Sequence, residues 1–193
     1  TCSFAIENYF EGHLAPTECG LSGDRSNGNG SLMRIHPFVL YAFAKELSLN
    51  EKIALIHAQS TFSLPGVKRL GIPELWTSDG PHGVRPEVPW NDWGNAGWNN
   101  DSCTAFPALT CLAATWNREA AAEYGNALGE EALFREKDVI LGPGLNMYRS
   151  PLCGRNFEYM GEDPYLAGKL SIPYIKGLQQ NGVAACLKHY VCN

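Results

Sequence analysis

From Glu74 onward, short apolar runs that stop at glycine, proline or a charge alternate with long amphipathic stretches, and this alternation limits the possible folds more than any other feature. The strand candidates are ELWTSD (74–79), the stretch around AFPALTCLAAT (105–115), DVILGPGLNMY (138–148) and GVAACLKHYV (182–191). Between them, REAAAEYGNALGEEALFRE (118–136) and PYLAGKLSIPYIKGLQQ (164–180) predict helices. The first starts behind Asn117 as a cap, with Glu119 in a first turn whose exposed N–H groups favour a negative charge. The second stops at Asn181 and Gly182. Strand, crossover helix and strand at this spacing form βαβ units with parallel pairing, so an α/β layer fold follows. Periodicity does not separate an open sheet from a barrel. No G-x-G-x-x-G follows any strand candidate, so no dinucleotide site is expected.

The front of the chain differs. GLSGDRSNGNG (20–30) predicts a loop, because glycine and asparagine adopt positive φ cheaply. SLMRIHPFVLYAFAKEL (31–47) predicts a helix, with Pro37 near its first turn or kinking it. LNEKIALIHAQ (49–59) predicts another, with Leu49, Ile53 and Ile56 on one face and Asn50 as its cap.

Of the 193 residues 45% are hydrophobic, enough for a packed core, and the net charge of −5 supplies no basic stripe for a phosphate backbone, so nucleic acid is not an expected partner. No apolar run approaches the roughly 18 residues a membrane-spanning helix needs. The first ten residues, TCSFAIENYF, carry no targeting signal, and the compartment stays open. The seven cysteines show no C-x-x-C spacing and are read as small buried apolar side chains rather than a zinc or disulfide framework.

Chemistry gathers at the strand ends: Asp79 after ELWTS, Arg155 after DVILGPGLNMYRSPLCG, and Lys188 with His189 after GVAAC. In a parallel α/β fold these ends share the face that binds ligands. A carboxylate accepting paired hydroxyl hydrogens, beside Arg, Lys and His donors, suits a polyhydroxylated ligand. WNDWGNAGW adds Trp90, Trp93 and Trp98, either as stacking surfaces for sugar faces or as a loop closed by its own aromatics.

SDGPHGVR, TAFPALTCLAATWN, GPGLNMYRSPLCGRNFEYMGEDP and GVAACLKHYVCN resemble, in order, the amino-terminal barrel of glycoside hydrolase family 3, over about residues 47–193. The resemblance implies the front half of an incomplete (β/α)8 barrel over residues 46–193, preceded by a mainly helical segment. It also implies a retaining glycosidase acting on terminal β-linked glucosides or related glycosides, with a carbohydrate as partner and neither cofactor nor metal. Asp79, Arg85, Arg155, Lys188 and His189 are then sugar-binding residues. Taken one at a time, Arg155 is equally a partner for Glu158 or Glu162, and Asp79 a turn cap. His82 is as readily a turn residue as a ligand, and Glu162 and Asp163 fix the loop or cap the next helix. The family's nucleophile comes from a later strand and its acid/base from farther on, so no catalytic residue is assigned and the isolated chain is expected to be inactive.

Residues 1–45, through SNGNGSLMRI, resemble part of an ADP-ribosylglycohydrolase. No D-D-T cluster accompanies that motif, so metal chemistry is not expected. The rival functional readings are an inactive chimeric or truncated product with weak sugar binding and, last, an ADP-ribosyl hydrolase.

Overall fold

The computed structural model describes residues 46–99 and 101–189, which fall into two compact units parting between Ile56 and His57. The segments 20–30 and 31–45, with the loop and most of the helix expected there, lie outside the described residues.

In the first unit, helix α1 (Leu49–Leu55) is capped by Ser48 rather than by Asn50. The reason is a reciprocal pair: Glu51 N–H donates to Ser48 Oγ at 3.4 Å, and the Ser48 N–H donates to the Glu51 carboxylate at 2.7 Å. Two end-group donors are satisfied at once, which asparagine two positions later does not offer.

The second unit runs β1 (Ser63–Leu64), β2 (Leu75–Asp79), α2 (Leu109–Ala114), α3 (Arg118–Phe134), β3 (Val139–Leu141), β4 (Gly144–Met147), β5 (Tyr159–Gly161), α4 (Pro164–Gln179) and β6 (Ala184–Ala185). One four-stranded sheet has the order β1, β2, β3, β6. β1 is antiparallel to β2, whereas β2, β3 and β6 are mutually parallel, with Asp79 opposite Leu141 and Ile140 opposite Ala185. β4 and β5 form a second, parallel pair, and a bridge between Gly144 and Lys188 ties it to the segment after β6. The fold is α/β, with parallel strands joined through helical crossovers.

Three strand expectations change. Within the stretch at 105–115, Leu109–Ala114 form α2, because Leu109, Leu112 and Ala113 bury at helical spacing and the Thr115 hydroxyl returns to the Leu112 carbonyl at 2.7 Å. DVILGPGLNMY forms two strands, since Gly142 and Pro143 interrupt it and proline has no N–H for the ladder. In GVAACLKHYV only Ala184 and Ala185 pair as a strand.

Both long helices stand as expected. α3 buries Ala121, Tyr124, Gly125, Leu128, Gly129 and Ala132, a stripe at three- and four-residue steps. Asn117 Oδ1 accepts the Glu119 and Ala120 N–H groups at 2.8 and 3.1 Å, and Asp163 Oδ1 caps α4 through Tyr165 and Leu166. Between these helices and the sheet lie Leu109, Leu128, Ile140, Leu170 and Leu178, all but sealed from solvent. Each such side chain contributes about 1.5–3 kcal/mol of burial. The cysteines depart from their reading: among the described residues Cys111 and Cys186 are exposed, Cys103 and Cys153 half-buried, and all four are free. Cys111 lies on α2 between Leu109 and Leu112 in sequence, which turns it away from their buried face.

Candidate functional site

The site begins with a turn that the sequence dictates. Gly80 and Gly83 have φ of +130° and +134°, and a Cβ at Gly80 would lie 1.8 Å from the Gly83 carbonyl oxygen. Only glycine fits at either place in DGPHG. The turn closes where the Arg85 N–H donates to the Asp79 carbonyl (3.2 Å) and to Ser78 Oγ (3.1 Å). Asp79, the last residue of β2, is thereby held at the C-terminal end of a parallel strand.

Lys188, three residues past β6, reaches it. Its Nζ lies 2.7 Å from Asp79 Oδ1 and 3.2 Å from Glu158 Oε2. Arg155 donates through Nε to Glu158 Oε1 at 2.5 Å, so the ion pair that the sequence left open between Glu158 and Glu162 forms with Glu158. Glu158 is 3% exposed and bridges both cations. Burial alone would raise its carboxyl pKa, but the hydrogen bond from Arg155 and the charge of Lys188 outweigh burial and hold it below the usual carboxylate value.

His189 is fixed on both sides. Its N–H donates to Asn146 Oδ1, Asn146 Nδ2 donates to its carbonyl at 3.0 Å, and the Tyr159 hydroxyl stands 2.8 Å from its Nδ1. Its Nε2 is 4.0 Å from Glu158 Oε1. Burial first, then the Arg155 charge, lowers its pKa, so at neutral pH this contact joins a neutral imidazole to a carboxylate rather than closing an ion pair.

Four of the five expected residues, Asp79, Arg155, Lys188 and His189, are thus brought together. Arg85 is not part of that cluster. Its Nη2 donates to the Trp93 carbonyl at 2.6 Å, and its guanidinium lies over the Phe62 and Trp93 rings at 5.7 and 5.8 Å. It still lines the same open cavity of about 590 Å³, with Asp79, His82, Cys103, Arg155 and Glu158. Lys188 and His189 reach that cavity through Asp79 and Glu158 and are not on its lining. His82 has a buried Nε2 without a partner, and burial lowers its pKa.

Two rings of the tryptophan loop pack on aromatics outside it. Trp93 packs edge-on against Phe62 at 5.5 Å, and Trp90 against Trp76 at 6.1 Å. Trp90, Trp93 and Trp98 remain exposed, and Trp90 and Trp98 border a second cavity of about 360 Å³ with Arg85 and Lys137. Arg135, ion-paired to Asp101 and Glu87, and Lys137, 2.9 Å from Glu87, anchor the loop's flanks.

Glu158 is the site residue that sequence reasoning noted only as a partner for Arg155; the spacing of three in GRNFE was its one signal. Among the described residues, no group of three or more His, Cys, Asp or Glu side chains is placed to hold a metal ion. No helix among them is long and apolar enough to cross a membrane.

Comparison with known proteins adds relatives to this geometry. The chain is 71% identical over 147 residues to a beta-glucosidase of Bacteroides ovatus, a match covering 76% of this chain and 20% of that protein. It is 46% identical over 150 residues to the thermostable beta-glucosidase B of Acetivibrio thermocellus, covering 77% of this chain and again 20% of the relative. The chain therefore spans about a fifth of the length of these curated relatives. Among solved structures, beta-glucosidase 3B of Thermotoga neapolitana in complex with glucose superposes with a TM-score of 0.68 at 38% identity, over 80% of this chain and 23% of that one. A beta-glucosidase of Kluyveromyces marxianus in complex with glucose gives 0.69 at 38% identity, over 80% and 18%. Residues 39–193 match the model of the glycosyl hydrolase family 3 N terminal domain, and the chain belongs to that family.

Proposed function

We propose that the described residues form the sugar-holding wall of a retaining β-glucosidase, at strand ends of the front half of a (β/α)8 barrel, and bind the terminal sugar of a β-linked glucoside. The observation that carries this reading is Lys188 Nζ, 2.7 Å from Asp79 and 3.2 Å from Glu158, beyond the C-terminal ends of parallel strands where such folds bind ligands. Asp79 offers its remaining oxygen to ring hydroxyls, while Arg155 and Lys188 donate to ring-substituent oxygens. His189 adds a neutral imidazole, and Arg85 flanks the cavity. The naming of the relatives as beta-glucosidases, and the glucose bound in two of the structural neighbours, support the same ligand class.

Neither cleft carboxylate is assigned to the chemistry. Retaining hydrolysis takes two carboxyl groups about 5 Å apart, one a nucleophile and one a proton donor whose pKa is held up. Glu158 is held down instead, between Arg155 and Lys188, and Asp79 gives Oδ1 to Lys188. This commitment of both cleft carboxylates to cations supports the reading that the chain carries sugar-binding residues but neither the nucleophile nor the acid/base. Residues 1–45 lie outside the described residues, and the family match, which starts at residue 39, takes in the last of them.

D-Glucose titration of the chain, followed by tryptophan fluorescence, tests the reading, because Arg85 joins the cavity to the Trp93 loop. A saturable change that Asp79→Ala abolishes is expected. A signal that Asp79→Ala leaves intact refutes the sugar wall, and ordinary turnover of a chromogenic β-glucoside refutes the reading that the chain carries neither the nucleophile nor the acid/base.

A further inference from the structure

GRNFE supplies two charges three residues apart, and only Arg155 belongs to the sugar wall proposed above. Glu158 ends the short 3-10 turn Asn156–Glu158, just before β5, and its side chain is 4% exposed against 47% for Arg155. A carboxylate buried to that degree is costly to desolvate unless its oxygens are paired. Both are paired: Oε1 with Arg155 Nε and Oε2 with Lys188 Nζ, with His189 Nε2 at 4.0 Å from Oε1. One buried carboxylate thus meets three of the four clustered side chains, and Lys188 links it to the fourth, Asp79.

How the cations are held decides what they have left to give. Arg155 is engaged through Nε, which leaves its two terminal amino groups for a ligand. Lys188 has three N–H bonds, and contacts to Asp79 and Glu158 leave one. Without the carboxylate, Arg155 loses its side-chain anchor among the described residues and Lys188 is held by Asp79 alone.

We propose that Glu158 is the positioning residue of this site: its buried carboxylate orients Arg155 and Lys188 so that their remaining donors face the sugar, with both its own oxygens committed to the cations. The proposal rests on the sugar-wall reading. A purely structural role costs stability alone, whereas positioning also sets ligand affinity in a protein that stays folded. Glutamine keeps the shape but has one acceptor oxygen, and its amide NH2 would face a cation. Aspartate keeps the charge but is one methylene shorter and does not span both cations.

The test compares D-glucose affinity of the 193-residue chain as wild type, Glu158→Gln and Glu158→Asp, with folding checked by circular dichroism. The Nε–H proton resonance of Arg155, assigned by NMR through its loss in Arg155→Lys, reports the ion pair directly. Expected are a loss of about tenfold or more in affinity for Glu158→Gln, the size set by a hydrogen bond to a charged group, with a shifted Arg155 resonance. Glu158→Asp should recover part of both. Either folded variant binding glucose within about twofold of wild type overturns the proposal, well below the effect of losing one such bond. If the glutamine variant does not fold, the aspartate variant decides alone. A wild type that never saturates with glucose while its Arg155 resonance shows the ion pair intact refutes the sugar-wall reading instead, and leaves Glu158 nothing to position.

Discussion

Gly125→Ala sets two magnitudes of opposite sign against each other. Gly125 lies inside α3, where alanine is favoured over glycine by about 1 kcal/mol from backbone propensity alone. The packing opposes this. A Cβ at Gly125 would stand 2.0 Å from the carbonyl oxygen of Tyr174 and 2.8 Å from its carbonyl carbon, both backbone atoms of α4. Gly177 faces the same crossing from α4, its Cβ position 2.2 Å from the Ala122 carbonyl oxygen. No rotamer change relieves a contact with backbone, so the helices must part by roughly 1 Å, a gap that forfeits a quarter to a half of the affected dispersion contacts. Leu128, Tyr174 and Leu178, all fully buried, lie among the contacts at risk. Overpacking of this kind costs about 1–3 kcal/mol or more, and with several large side chains affected the net loss after propensity should be about 2 kcal/mol. For a chain of this size that corresponds to a melting temperature lower by roughly 4–8 °C. Gly168 in the same α4 is the control: it is exposed, nothing lies within 4 Å of its Cβ position, and alanine there should stabilise by about 0.5–1 kcal/mol. Thermal and urea unfolding followed by far-ultraviolet circular dichroism measures both. Gly125→Ala at or above wild-type stability would refute the close-packed crossing.

Three further outcomes are expected. Asn117→Ala should cost about 1 kcal/mol in urea unfolding, because the side chain accepts two N–H groups at the start of α3. Tyr124→Phe should cost about 1–2 kcal/mol by the same measure, since the hydroxyl is placed 2.9 Å from the carbonyls of both Pro81 and Pro107 in a buried setting. Acid should weaken the fold in two stages. His82 and His189 have pKa values below their ordinary 6.5, chiefly through burial, so their contribution is complete above that value and fades as pH falls through the folded values. Glu158, held below its ordinary 4.5, contributes in full above 4.5 and loses its contribution at lower pH. Urea midpoints measured across the acid range should show Glu158→Gln losing the second stage while keeping the first; a variant curve parallel to wild type throughout would contradict the assignment.

The legible parts of the sequence were those in which neighbours along the chain decide the geometry. The caps Asn117 and Asp163 follow from local N–H groups that need acceptors, whereas the need for glycine at Gly80 and Gly83 shows only in the close approaches of the folded turn. α2 is not legible as a helix, because six residues of Leu, Ala, Thr and Cys carry too short a period to distinguish a buried strand from a helix. Cysteine burial is hidden for a related reason: apolarity does not say which face of an element a residue occupies, and Cys111 falls on the open face. Glu158 was beyond local reasoning, since its importance arises only when Lys188, thirty positions away, arrives beside it. The same holds for Arg85, which the Trp93 carbonyl captures from a loop whose course no local pattern specifies.

The core and the site meet at one carbonyl. Tyr124 of α3 and Tyr174 of α4 both direct their hydroxyls at Pro81 O, at 2.9 and 3.5 Å, and their rings pack 5.4 Å apart. The turn that carries Asp79 is therefore held from below by the same helix pair that Gly125 and Gly177 allow to close. Asp79 answers to two independent constraints: its backbone follows the grip on Pro81, and its carboxylate follows Lys188, which Glu158 holds in turn. Loosening the helices should shift the turn without touching a charge, whereas neutralising Glu158 should free Arg155 and leave Lys188 to Asp79. A site built this way holds its donors and acceptor in fixed relation only while both supports stand, which makes the interior packing of α3 against α4 part of the geometry of the proposed site.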